Sequence, residues 1–136
     1  MEEPSPEVVY PTLDQIVDVN RRMIEVSGGS FAPPTNLLNR SSLEYILMAV
    51  SRPIFGRESF NTLKEKAAAL AFEIIASHIF ADGNKRTAIH IAWEFLRSNE
   101  VPLVLDHSVE DIAVGIAEGD ASRDDLLDWL HRHQEE

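Results

Sequence analysis

Five times along these 136 residues a Ser or Thr is followed three positions later by Gln, Glu or Asp, and an apolar helical pattern begins there. The pairs are Thr12 with Gln15, Ser41 with Glu44, Thr62 with Glu65, Ser108 with Asp111, and Ser122 with Asp125. This is the capping-box spacing, in which the first side chain accepts from an exposed amide and the second reaches back. The pattern predicts helices joined by short loops. The first runs 12–27, with Leu13, Ile16, Val17, Met23, Ile24 and Val26 apolar and Gly28-Gly29 as its stop. The second runs 41–50. The third starts near Thr62 and places Leu63, Ala67, Leu70, Ile74 and His78 on one face. The fourth runs 84–98, the fifth from Ser108 to Gly119, and the sixth from Ser122 through Leu130. Residues 30–39, with Pro33-Pro34, read as a loop. Residues 51–60 hold Pro53, Gly56, Phe55 and Phe60 and interrupt the helices as a loop or short hairpin. Residues 1–11 carry three prolines and read as an extended lead-in, with Tyr10 and Pro11 able to pack on the body. The expectation is one all-α, bundle-like domain spanning 1–136.

Composition narrows the function classes. There is no cysteine, which removes disulfides, thiol catalysis and thiolate metal sites and fits a reducing compartment such as the cytoplasm. Met1-Glu2-Glu3-Pro4 lacks the basic start of a secretory signal, and no apolar run is long enough to span a membrane. The net charge is −11, which disfavours general nucleic-acid binding. It is unevenly spread: residues 40–97 carry a small net positive charge, whereas residues 98–136 are strongly acidic. The positive middle is suited to a small phosphorylated ligand, and the acidic end reads as a solvated helical face.

The fourth helix starts unlike the others. Its opening, Asp82-Gly83-Asn84-Lys85-Arg86-Thr87, puts two cations where the helix dipole prefers anions. An anion at that end resolves the conflict, with Gly83 admitting backbone amides and Lys85 and Arg86 neutralising charge. The bland alternative is a cap by Asp82 or Asn84 with the cations facing water. The segment is not a Walker P-loop, since only one glycine is present. His78, four residues before Asp82, completes a set suited to phosphoryl or nucleotidyl transfer: a base, a metal-binding carboxylate and an anion cradle. A capping or core histidine is the alternative.

The run His78-Ile79-Phe80-Ala81-Asp82-Gly83-Asn84-Lys85-Arg86-Thr87-Ala88 resembles the signature of the Fic/Doc family. It is most similar to the Doc (death-on-curing) toxin branch of type II toxin–antitoxin systems, with its H-x-F-x-D-x-N-K-R-T pattern. The flanks Lys66-Ala67-Ala68-Ala69-Leu70, Phe95-Leu96 and Asn39-Arg40-Ser41-Ser42-Leu43-Glu44 agree, and the resemblance spans about residues 12–131. It implies an all-helical Fic fold and transfer of part of a nucleotide to a protein hydroxyl. His78 is then the base, Phe80 the anchor of the loop, and Asp82 the Mg²⁺ ligand. Gly83, Asn84, Lys85, Arg86 and Thr87 form the phosphate-binding run. Arg52, Pro53, Ile54, Phe55, Gly56 and Arg57 form a flap that aligns the target by strand addition.

Lys85 decides the branch within that resemblance. Adenylylating Fic proteins have Gly there and a second Arg three residues after Arg86, where this chain has Ile89. Doc proteins share the Lys, and are thought to bind ATP reversed and transfer its γ-phosphate to a Ser or Thr. Elongation factor Tu is that branch's target. Gly83 stands where the best-known Doc toxin has Ala and matches the Fic pattern, so adenylylation is the alternative. A degenerate domain that binds nucleotide or a partner without turnover is the third reading. The Fic inhibitory pattern [ST]-x-x-x-E-[GN] is not met, because Val114 precedes Glu118-Gly119, and this implies a separate antitoxin. Of the other histidines, His131 and His133 are expected to be solvated, His90 polar surface or a helix contact, and His107 loop. Trp93 and Trp129 are expected in the core.

Overall fold

The computed structural model describes residues 7–53 and 56–135. It contains six helices: α1 (Leu13–Ser27), α2 (Arg40–Ser51), α3 (Leu63–Ala76), α4 (Asn84–Ser98), α5 (Ser108–Glu118) and α6 (Arg123–Arg132). Isolated bridges join Leu37 to Phe80 and Leu103 to Gln134, and the described residues contain no named strand. The chain is all-α, as its pattern requires.

Helix α3 is the centre. It packs against α2, α4, α5 and α6. Its buried run is continuous, from Lys66 through Ala71 and on to Ile74 and Ile75. Four alanines in that run let neighbouring helices approach from several sides at once, so no single apolar stripe is left. Lys66, the one buried cation among the described residues, donates to the Tyr10 hydroxyl at 2.7 Å. Tyr10 stacks on Phe95 at 5.8 Å, and the Val9 backbone exchanges two hydrogen bonds with the Asn99 side chain. These contacts fasten the described part of the lead-in to α3 and α4.

The capping expectation holds in part. Thr12 and Ser122 form full capping boxes, and Thr62 accepts from the Glu65 amide. Ser41 and Ser108 do not cap. Helix α2 begins one residue earlier, with Asn39 as the flanking residue, and Glu44 pairs with Arg40 instead. At α5 the Ser108 amide and hydroxyl both donate to Asp106, two residues upstream. At α5 this nearer partner replaces the box, and at α2 the Glu44 carboxylate is taken by Arg40. Val26, one of the apolar positions of α1, is 84% exposed. Trp129 is buried, but Trp93 lies at the surface boundary under the Arg97 guanidinium. His133 is not simply solvated: it stacks on Trp129 at 3.8 Å and contacts Asp106 at 3.0 Å. His131 stays exposed, and His90 pairs with Glu94.

Candidate functional site

The site forms where α3 ends and α4 begins. Helix α3 stops at Ala76, so His78 lies beyond it rather than on its apolar face. His78 takes a positive φ of 48°, a conformation costly for a residue with a Cβ by about 1–2 kcal/mol. Asn39 offsets that cost: its Nδ2 donates to the Ser77 and His78 carbonyls at 2.6 and 2.9 Å. The His78 side chain is exposed, and its ring has no hydrogen-bond partner among the described residues. It is available to a ligand.

The next residues are held by the segment that follows α1. Leu38 and Asn39 amides donate to the Ile79 carbonyl, and the Ala81 amide donates to the Asn36 carbonyl. Phe80 is fully buried, which places the expected anchor in the core. Asn84 locks the same turn. Its Oδ1 accepts from the Phe80 amide at 2.9 Å and its Nδ2 donates to the Phe80 carbonyl at 2.8 Å. The Asn84 side chain is thus spent on the loop, and only its backbone amide is left to face an anion.

Two fully buried asparagines support this loop from below, and the sequence pattern did not single them out. Asn20 Nδ2 donates to the Asp82 carbonyl at 2.9 Å and to Thr87 Oγ1 at 3.1 Å. Asn36 Nδ2 donates to Asn20 Oδ1 at 2.9 Å. The available signal was position: Asn20 falls on the same α1 face as Ile16, Val17 and Ile24, where a polar residue needs a partner. In this network Thr87, expected in the phosphate-binding run, is fully buried, with its hydroxyl oxygen accepting from Asn20.

Asp82 is positioned by backbone. Its Oδ2 accepts from the Ser30 amide at 2.9 Å and its Oδ1 from the Gly83 amide at 2.8 Å. These amides, Ser30 first, hold its carboxyl below the usual carboxylate range, with Arg86 and Lys85 adding to the effect. Two glycines make the approach possible. A Cβ on Gly29 would sit 2.8 Å from Asp82 Oδ2, and Gly83, at φ 79°, packs against Asn20 and Ile24. Each carboxylate oxygen retains a lone pair, which fits a hard cation held by one carboxylate and by ligand phosphates. No cluster of three metal-ligating side chains exists among the described residues, so such a cation would need the ligand's own oxygens.

Gly83 flanks the first turn of α4 and offers no side-chain cap, and that turn holds no acidic residue. Among the described residues the amides of Asn84, Lys85 and Arg86 find no acceptor. A set of free amides, a dipole end and two exposed cations makes an anion cradle. Arg86 reaches back to the Met23 and Gly28 carbonyls at 3.5 and 3.4 Å, which steadies its guanidinium. The cradle opens into a cleft of about 280 Å³ lined by Asp82, Lys85, Arg86, Ile89, Glu110 and Val114, among others. Of the expected flap, Arg52, Pro53, Gly56 and Arg57 are exposed, and Ile54 and Phe55 lie outside the described residues.

The signature loop, the cradle and most of α4 fall within residues 10–96, which match the model of the Fic/DOC family. The chain belongs to the Fic/DOC family. It is 39% identical over 84 residues to Toxin Doc of Mycolicibacterium smegmatis, a match covering 57% of this chain and 65% of that protein. It is 37% identical over 75 residues to Protein kinase doc of Escherichia phage P1, covering 55% of this chain and 60% of that protein. The chain thus matches somewhat less than two thirds of the length of these two Doc relatives. Both relatives carry the name Doc. No helix among the described residues is long and apolar enough to cross a membrane.

Proposed function

We propose that this chain is a Doc-like toxin that transfers the γ-phosphate of Mg²⁺-bound ATP to a Ser or Thr hydroxyl of a target protein, elongation factor Tu being the candidate. The observation that carries the reading is the chemistry of the α4 cleft. It joins the unpaired amides, Lys85 and Arg86 to the apolar side chains of Ile89, Ala113 and Val114, with Glu110 beside them. An apolar wall is suited to a nucleoside and unsuited to a second charged phosphate group. In this reading the nucleoside lies against α5 and the phosphates lie at the cradle. The name of the phage relative, Protein kinase doc, points the same way.

In this reading the exposed His78 ring takes the proton from the target hydroxyl. The hydroxyl oxygen bonds to the γ-phosphorus, the bond from that phosphorus to the β,γ-bridging oxygen breaks, and ADP leaves. Lys85, Arg86 and the α4 amides hold the phosphate charge that builds up. Asp82 holds Mg²⁺, which when bound neutralises phosphate charge. Arg52, Pro53, Ile54, Phe55, Gly56 and Arg57 form the flap that receives the target segment. A separate antitoxin restrains the protein in the cytoplasm.

The test supplies ATP labelled at the α- or the γ-phosphate to purified protein with Mg²⁺, elongation factor Tu and a cell lysate. Transfer of γ-label alone, lost in His78→Ala, is the expected result. Transfer of α-label would make the protein an adenylyltransferase, the reading that Gly83 favours. No transfer from either, in wild type as in His78→Ala, would leave a binding domain without turnover.

A further inference from the structure

The α4 cleft contains a group that a phosphate site should not tolerate. Glu110, in the first turn of α5, lines it together with Lys85 and Arg86. Among the described residues neither cation forms an ion pair with it. A free carboxylate beside bound phosphates weakens their binding by like-charge repulsion unless the ligand gives it hydrogen bonds. An ionised carboxylate only accepts. Its partner on the ligand must therefore be a donor, close to both the phosphates and the apolar wall.

The placement on α5 narrows the choice. Glu110, Ala113 and Val114 are spaced i, i+3 and i+4, so they share one helix face. Ala113 and Val114 form the apolar wall, and Val114 is 40% exposed there. A nucleotide with its base on that wall and its phosphates at the cradle carries its sugar between them. The sugar's hydroxyls are donors in that intermediate position.

We propose that Glu110 is a specificity-determining residue that accepts hydrogen bonds from the ribose hydroxyls of the bound nucleoside triphosphate. It selects ribonucleotides over their deoxy forms. This rests on the nucleotide reading above and adds a residue from outside the signature loop and beyond residues 10–96.

The test is calorimetric titration of the His78→Ala protein, which keeps the cleft without the base, with ATP, 2′-deoxy-ATP and 3′-deoxy-ATP in Mg²⁺. Losing a hydrogen bond to a charged acceptor should weaken at least one deoxy form by about tenfold. Adding Glu110→Ala should abolish that difference, so that all three nucleotides bind alike. Discrimination that is absent, or that survives Glu110→Ala unchanged, overturns the proposal. So does a variant that alters preference among ATP, GTP and CTP while keeping the sugar preference. ATP binding without sugar discrimination removes the role of Glu110 and leaves the nucleotide reading intact. Failure of ATP to bind at all overturns both.

Discussion

Asn20 is a single residue with several obligations: it joins α1 to the Asp82 carbonyl, to Thr87 and to Asn36. Removing it takes the donor from Thr87 Oγ1 and leaves the Asp82 carbonyl and the Asn36 amide only their mutual contact at 3.4 Å. Asn20→Ala should cost about 1–3 kcal/mol in urea unfolding. It should also weaken nucleotide binding more than an exposed substitution does, because the loop beneath Asp82 loosens. Gly83→Ala forces a side chain into φ 79° and against Asn20 Nδ2 at 3.0 Å. It should destabilise by about 1–2 kcal/mol and distort the cradle, read as a matching loss of ATP affinity. Asp82 gives a pH signature. Its folded pKa is lowered, chiefly by the Ser30 amide. Its contribution to stability is therefore fully present above the unfolded value of about 3.9, and is lost as pH falls through the folded value. Asp82→Asn should flatten the fall in Tm below pH 4 relative to wild type.

At the scale of elements, two capping boxes form as the sequence implies and two do not. Ser122 accepts from Asp125, and Asp125 returns the contact to the Ser122 amide. Ser122→Ala should cost about 1 kcal/mol in thermal or urea unfolding. Ser41→Ala should cost almost nothing, because Ser41 lies inside α2 and caps no amide. The contrast separates a spacing that resembles a cap from one that is used. Helix α4 shows the opposite case. It lacks a side-chain cap, and its first turn keeps its amides unpaired. An element with unmet amides and like-charged side chains departs from local stability rules, and such departures mark function more often than error.

The whole molecule is organised around α3. Ala67 is fully buried and Ala68 and Ala69 nearly so, in a helix that touches four others. Ala67→Leu should overpack this centre and cost about 1–3 kcal/mol in urea unfolding, although leucine is a good helix former. The chain's six helices, their approximate limits and the odd start of α4 were all legible in the sequence. Capping chemistry and 3.6-residue spacing act between near neighbours, and so are written in local order. The run from His78 to Thr87 also carried the family, because its residue types and spacing are chemically unusual together. What local order could not show was which polar side chains face inward and find each other. Asn20, Asn36 and Asn39 come from α1 and the segment after it, yet they hold residues 77–82 in place. Thr87 has the sequence position of a phosphate contact, but packing turns it into the core. Glu110 enters the cleft because α5 lies beside α4. The sequence by itself determined the helices and the signature loop, since both rest on short-range chemistry. The tertiary structure alone decided the loop's supports and the cleft's far wall, because burial and partner choice depend on residues brought together from distant parts of the chain.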